Sequence, residues 1–476
     1  MKGFKKAFIF IIVLTVVQFI FAVYPVIGSA DSSAKFNNPG PVVSKNEMFG
    51  WIKDLCAMGY RRPGSAGELK AEQYIFDKFT EFGLQDVIFE PIPIQTWDPT
   101  RWVLTVNGEN IPCFYIPFSP FTSSSGITGE LVYLKDGTEN DYEGKDLTNK
   151  IVLVDIHFGL EYLGVNLTGP TPWLITNWDA YKQAKAHNAA GFIGILKDYF
   201  DSNTYYAPVD NYGTKPIAER DLTGLWVSKS DGARIIKLLE SSESVTANIT
   251  LNGTRGMVST SNIVGFLPGK TDEIIMIHSH HDAAFYGAVE DASGISEVLA
   301  LAKYFGKIPP SKREKTIMFL SATGHFYDYI GNRTFVEKHR YDLIPKIVVN
   351  ICIEHVAKKY NNVNGEIVYS GRNETGYILS TGSWLSTMVR YAAWNNNLQY
   401  STWIIPVPFG LSFFDTDAKN YYDEKIPTVS YVTMPIYLYD LIDTPDKVAK
   451  DLLKPIAETF IDVVNDIDKT PSWLLK

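Results

Sequence analysis

His280, His281 and Asp282 are adjacent in this 476-residue chain, and Glu290-Asp291-Ala292-Ser293-Gly294 follows eight residues later. Imidazole nitrogen and carboxylate oxygen on one short loop are the donor set of a borderline-soft divalent cation such as zinc, for which neutral imidazole is the commonest protein ligand. Six of the chain's eight histidines (278, 280, 281, 325, 339 and 355) fall between positions 278 and 355, roughly one sixth of its length. A lone histidine is more often a hydrogen-bonded core residue, but a concentration of this kind points to a site.

The flanking residues say how such a site is positioned. Ile274-Ile275-Met276-Ile277 reads as a buried strand, and Ile295, Val298, Leu299, Ala302 and Phe305 recur at helical spacing behind Ser293-Gly294. Further strands are expected at 316–321, 347–353 and 428–432. They place His325 after the second strand, and Glu354 and His355 after the third. Ligand bays of parallel α/β sheets lie beyond the carboxyl ends of the strands, where all these residues fall. The closing helix is expected from Thr444-Pro445, kinked at Pro455. Upstream, Ser44–Met58 reads as a helix. Ser65 and Glu68 then form a capping box ahead of a helix carrying Ala71, Tyr74, Ile75, Phe79 and Phe82 and stopping at Gly83, and 86–94 reads as a strand. Between these parts, 105–256 changes character to short strands with Gly and Pro turns and few helices.

The expected fold class is therefore α/β, a mostly parallel mixed sheet sandwiched by helices, with an inserted β-rich domain. Its expected domains are 44–104 together with 257–476 for the α/β part and 105–256 for the insertion. A net charge of −9 gives no basic footprint and argues against nucleic acid as a partner. Lys2, Lys5 and Lys6 ahead of the apolar run Ala7–Ala22, closed by Gly28-Ser29-Ala30, read as a signal peptide over 1–30, with an uncleaved membrane anchor as the rival; residues 31–43 read as a linker. Either reading makes the folded part secreted or extracytoplasmic, and the second attaches it to a membrane. Three cysteines (56, 113 and 352) allow one disulfide at most, and Cys352 is expected to pack as a small apolar residue.

Asn262-Ile-Val-Gly-Phe-Leu-Pro-Gly269, His280-x-Asp282, Gly287-Ala-x-Glu-Asp-Ala-Ser-Gly294 and Ile426-Pro-Thr428 resemble the co-catalytic zinc exopeptidases of metallopeptidase family 28 over about 44–104 and 257–470. The region between resembles the protease-associated domain that some members carry. The resemblance implies a zinc-dependent exopeptidase fold and a peptide substrate. It also implies metal ligation by His280, Glu290 and Glu354, with Asp282 orienting His280. Two positions depart from it. Where the family has a Glu-Glu pair, general base then ligand, this chain has His325 and Phe326. Where the family has His-Thr-Pro, this chain has Asp443-Thr444-Pro445.

Two readings follow. In one the site has decayed and the protein is a binding module, as the transferrin receptor is within that family. In the other, which the placement of His325, His355 and His281 favours, the site is rewired into a metallopeptidase of aminopeptidase type, with one Zn²⁺ per chain. His325 then occupies the slot of the general base or is itself a fourth ligand. His281, His355, Asp291 and Asp443 are further candidates for ligation or proton transfer.

Overall fold

The computed structural model describes residues 41–158, 161–162, 165–166, 175–206, 221–407 and 416–475, all within one compact unit. The expected leader and most of the linker lie outside them. Among the described residues no helix is long and apolar enough to cross a membrane.

The sequence runs richest in Ile, Val and Met form the middle of an eight-stranded sheet. Its order is Gln85–Gln95, Met257–Leu267, Thr316–Ala322, Ile274–His280, Ile347–Ile353, Thr428–Thr433, Gly376–Thr381 and Thr402–Val407. The four strands from Thr316–Ala322 to Thr428–Thr433 are parallel to one another, and antiparallel neighbours flank them on both sides. Those four are buried almost without interruption, which explains why they read as continuous apolar runs rather than alternating ones. On one face Ile274, Met276, Met318 and Leu320 pack with Phe335, Val336 and Tyr421 from the helices Ile330–Lys338 and Lys419–Asp423. The helix Gly294–Gly306 packs against the same strands and against the helices Lys45–Ala57 and Lys450–Lys469. It is buried on nearly all sides, so its apolar stripe marks an interior helix.

A second eight-stranded sheet draws all its strands from between Asp98 and Thr254. Its middle is more regular than the sequence pattern suggests. Ile127–Tyr133, Lys150–Ile156, Gly191–Leu196 and Gly224–Val227 are consecutive and parallel, served by the helices Asp179–Ala186 and Lys229–Ser241. An aromatic seam links this part to the first sheet's loops, through Phe114–Phe285, Phe118–Tyr327 and Tyr206–Phe326 at ring separations of 5.1–5.8 Å.

Three local expectations change. Ser65 caps its helix by accepting from Glu68 N–H at 3.2 Å, but the Glu68 carboxylate turns into the interior instead of closing the box. Thr444-Pro445 opens only a short turn, and the closing helix begins at Lys450, with Pro455 inside it. The strands Gly376–Thr381 and Thr402–Val407 extend the sheet beyond the ones expected.

Candidate metal centre

Four loops at the carboxyl edge of the parallel strands bring the side chains together. His280 ends its strand, Glu290 lies in the turn Ala288–Ser293, His325 follows Thr316–Ala322, and Glu354-His355 follows Ile347–Ile353. The first loop is held by Arg61, which is fully buried and donates to the carbonyls of Leu55, His281, Tyr286 and Gly287. Asp443 holds the second, accepting from the N–H groups of Val289 and Glu290 at 2.9 Å each. Asp291 braces the fourth, accepting from Gly294 N–H and from His355 N–H at 3.1 Å. His355 adopts a left-handed backbone (φ 52°), pinned by that bond and by Thr433 Oγ1 donating to its carbonyl at 2.9 Å.

The Glu290 carboxylate is the centre of the group. His280 Nε2 is 3.3 Å from Oε1, His325 Nε2 is 3.4 Å from the same oxygen, and His355 Nε2 contacts Oε2. Each ring has its other nitrogen engaged: His280 Nδ1 with the Asp282 carbonyl at 3.1 Å, His325 Nδ1 with Asp417 Oδ2 at 2.7 Å, His355 Nδ1 with the Thr433 carbonyl at 3.0 Å. That pattern fixes the tautomers so that the Nε2 lone pairs face inward, as in metal-ligating histidines. His280 Nε2, His355 Nε2 and both Glu290 oxygens are buried and have no polar neighbour outside this histidine–carboxylate group with which to form a hydrogen bond. Buried polar atoms in native proteins are nearly always satisfied, and a divalent cation satisfies these four. The 3.3 Å separation of His280 Nε2 from Glu290 Oε1 is close to the roughly 3.4 Å edge of a tetrahedron with ligands about 2.1 Å from zinc. The residues present therefore fit the ion.

A second set of donors, His280 with His325, Glu354 and Asp417, overlaps the first. Its acids already have partners. Asp417 accepts from His325 and from Asn332 Nδ2 at 2.5 Å; Glu354 Oε1 accepts from Asp417 N–H at 3.1 Å and from the Cys352 thiol at 2.9 Å. Glu354 Oε2 stands 4.0 Å from His355 Nε2. Asp282 accepts from the N–H groups of His325 and Phe326 and lies 3.3 Å from His280 Nδ1, so it ties the His325 turn to His280.

Charge follows the same geometry. Burial opposes a proton on His280 and His355, but Asp417 beside the first and Glu290 beside the second outweigh it. His280 is held well above the usual histidine range and His355 is raised to about 10. Burial alone would raise Glu290, yet the neighbouring imidazoles, His355 foremost, hold it well below the carboxylate range. Burial raises Glu354 and Asp443 to about 7 each and Asp291 to about 6. The acidic neighbours thus favour protons on the His280 and His355 rings, and a divalent ion would compete with those protons for the same nitrogens.

Of the residues expected from the sequence, His280, Glu290, His325, His355, Glu354 and Asp282 converge here. Asp291 borders the group, its Oδ2 4.0 Å from His280 Nε2, and also braces the loops, whereas Asp443 meets the backbone N–H groups of Val289 and Glu290. His281, one residue from His280 on the strand end, lies with Glu68 and Glu72. Phe326 forms an apolar wall, its ring 6.3 Å from His280, 5.7 Å from Tyr206 and 6.0 Å from Tyr439. Asp417 is the residue that the sequence reading missed. It precedes a short helix and reads locally as a turn or cap residue, and only the fold brings it to His325.

Residues 262–464 match the model of Peptidase family M28. The fold is that of a zinc aminopeptidase from Bacillus subtilis, BSAP (TM-score 0.69, 18% identity, covering 90% of this chain and 96% of that one). It is also that of an aminopeptidase from Aneurinibacillus sp. strain AM-1 (TM-score 0.61, 21% identity, 90% and 94%). Among curated sequences, the probable glutamate carboxypeptidase VP8 of Zea mays is 29% identical over 111 residues, which are 22% of this chain and 16% of that protein. The probable glutamate carboxypeptidase AMP1 of Arabidopsis thaliana is 28% identical over 128 residues, 26% and 17%. The chain thus spans less than a fifth of the length of these curated relatives.

Proposed function

We propose, from the match of residues 262–464 to peptidase family M28, that the protein is an extracytoplasmic metal-dependent exopeptidase of aminopeptidase type, with peptides as substrate. The observation that carries this reading is the set of four buried donor atoms on His280, Glu290 and His355 that converge on one another with no other hydrogen-bond partner. In this proposal His355, rather than its neighbour Glu354, is the third ligand, and one Zn²⁺ is held at this centre. Zinc bound by two histidines and one carboxylate supplies Lewis acidity toward a carbonyl and lowers the pKa of a water toward about 7.

His325 does the proton chemistry. Asp417 accepts its Nδ1–H at 2.7 Å, leaving Nε2 as the basic atom, 3.4 Å from Glu290 Oε1 at the edge of the ligand group. It takes a proton from the attacking water as the C–O bond to the scissile carbonyl forms, and returns it to the amine nitrogen as the C–N bond breaks. Asp282 holds the backbone of the His325 turn against His280. Phe326, Tyr206 and Tyr439 exclude water from one side. Residues 105–256 are proposed as the inserted protease-associated domain on the host 44–104 and 257–476, and the amino-terminal segment as the export signal or membrane anchor.

Hydrolysis of aminoacyl p-nitroanilides and of their N-acetylated forms tests the reading. The account expects turnover of the free-amine substrates, loss with chelator and loss in Glu290→Gln. A zinc-replete protein that cleaves neither these nor a panel of unblocked peptides is instead a binding module.

A further inference from the structure

On the helix Ala66–Glu81, Glu68 and Glu72 are one turn apart and both buried, and they meet Thr260, Thr323 and His281 in the interior. Thr260 Oγ1 lies 2.7 Å from Glu68 Oε2, 3.0 Å from Glu72 Oε1 and 2.7 Å from Thr323 Oγ1; Thr323 Oγ1 lies 2.5 Å from Glu68 Oε1. Backbone N–H groups of Gly64 and Ser261 donate to Glu68 Oε2 and Glu72 Oε1.

These are four short contacts between oxygens, and the two hydroxyls bring only two hydrogens. Two carboxylates in this arrangement leave two contacts with no hydrogen between them, and two negative charges buried together. The cluster therefore needs two positive charges from elsewhere. Two protons, one on each carboxyl, meet that need, and so does one divalent cation. His281 decides between them. Its Nδ1 is engaged with Ser321 Oγ at 2.8 Å, and its Nε2 faces Glu68 Oε1 at 3.7 Å, too long for a hydrogen bond. That ring is fully buried and its Nε2 has no partner. Protons on the carboxyls leave this nitrogen without a partner, whereas in the tautomer whose Nδ1–H donates to Ser321 Oγ a cation takes the Nε2 lone pair together with the two carboxylates.

We propose that Glu68, Glu72 and His281, with the hydroxyls of Thr260 and Thr323, form a second divalent-cation site, separate from the His280–Glu290–His355 centre. One imidazole and two carboxylates suit a first-row ion of the zinc class. The ion would fasten the helix Ala66–Glu81 to the strand Met257–Leu267 and to the turn that carries His325. Its role is structural, since hydroxyls, carboxylates and ring fill its surroundings and none of these groups is exposed.

Zinc stoichiometry of the full chain, purified without affinity-tag metal, loaded with Zn²⁺ and desalted, tests it by elemental analysis. Wild type is expected to hold two equivalents, Glu72→Gln and Thr260→Val one each, and Glu290→Gln one. A wild type with one equivalent that Glu290→Gln loses and Glu72→Gln keeps overturns this site while leaving the proposed function intact. One equivalent with the reverse dependence supports this site and removes the other. Infrared spectra of zinc-loaded wild type need no variant to fold. The zinc-loaded minus zinc-free difference spectrum is expected to lose protonated-carboxyl absorption as the second equivalent binds, and a second equivalent that leaves this absorption unchanged overturns the proposal.

Discussion

Replacing Asp417 by Asn changes one atom and inverts the state of His325. Asp417 Oδ1 accepts from Asn332 Nδ2 at 2.5 Å, and Asn332 is itself oriented because its Oδ1 accepts from the Tyr421 hydroxyl at 3.0 Å. In the variant the side-chain oxygen must stay on Asn332, so the new amide NH₂ faces His325 Nδ1. Nδ1 then becomes an acceptor and the ring proton moves to Nε2, the atom that has to take up a proton. Loss of a general base costs about 10²–10⁴ in rate, or roughly 3–5 kcal/mol of transition-state stabilisation. Asp417 is not one of the three proposed ligands, and His280 Nδ1 keeps its bond to the Asp282 carbonyl in the variant, so zinc content is expected to be unchanged. Steady-state hydrolysis of an aminoacyl p-nitroanilide by zinc-loaded Asp417→Asn, alongside elemental analysis, measures both. Turnover within twofold of wild type refutes the role of the pair. Parallel loss of zinc and turnover shows instead that His325 is a ligand.

Three further outcomes are expected. His355→Ala is expected to lose zinc at the His280–Glu290 centre while Glu354→Gln keeps it, measured by chelator competition; the opposite order returns the ligand role to Glu354. Arg61→Ala removes the buried guanidinium donor from three loop carbonyls (His281, Tyr286 and Gly287) and one helix carbonyl (Leu55), and is expected to cost about 3 kcal/mol in urea unfolding. His157 sits between Asp198 and Asp136 at 2.9 Å from each, and the hydrogen bond to Asp198, working against burial, raises it from 6.5 to about 9. A raised folded-state pKa stabilises fully below the unfolded value and is lost as pH rises through the folded one. The Tm deficit of His157→Gln is therefore expected at pH 6 and absent by pH 10, and a pH-independent deficit contradicts it.

Much of the centre was legible because its ligands sit at strand ends. Buried parallel strands declare themselves as apolar runs, so His280, His325, Glu354 and His355 could be placed at one edge before any coordinates. The choice between Glu354 and His355 was not legible. It depends on which carboxylate oxygen has a neighbour, and the Cys352 thiol and Asp417 N–H that engage Glu354 come from the strand interior and from a segment sixty residues away. Glu68 misled for the same reason. Ser-x-x-Glu at a helix start is a local signal, but the Glu68 carboxylate found hydroxyls on Thr260 and Thr323 that only tertiary packing supplies. Gly376–Thr381 has only the short apolar run Tyr377–Leu379, and Pro406 inside the apolar run of Thr402–Val407 argues against a strand, so neither reads as one from the sequence.

Anomalous diffraction at the zinc edge, from crystals of the full chain grown with Zn²⁺, tests the central claim most directly. The account predicts a peak about 2.0–2.2 Å from His280 Nε2, His355 Nε2 and a Glu290 oxygen. Zinc-replete crystals with no peak there, and His355 Nε2 still in direct contact with Glu290, would contradict it.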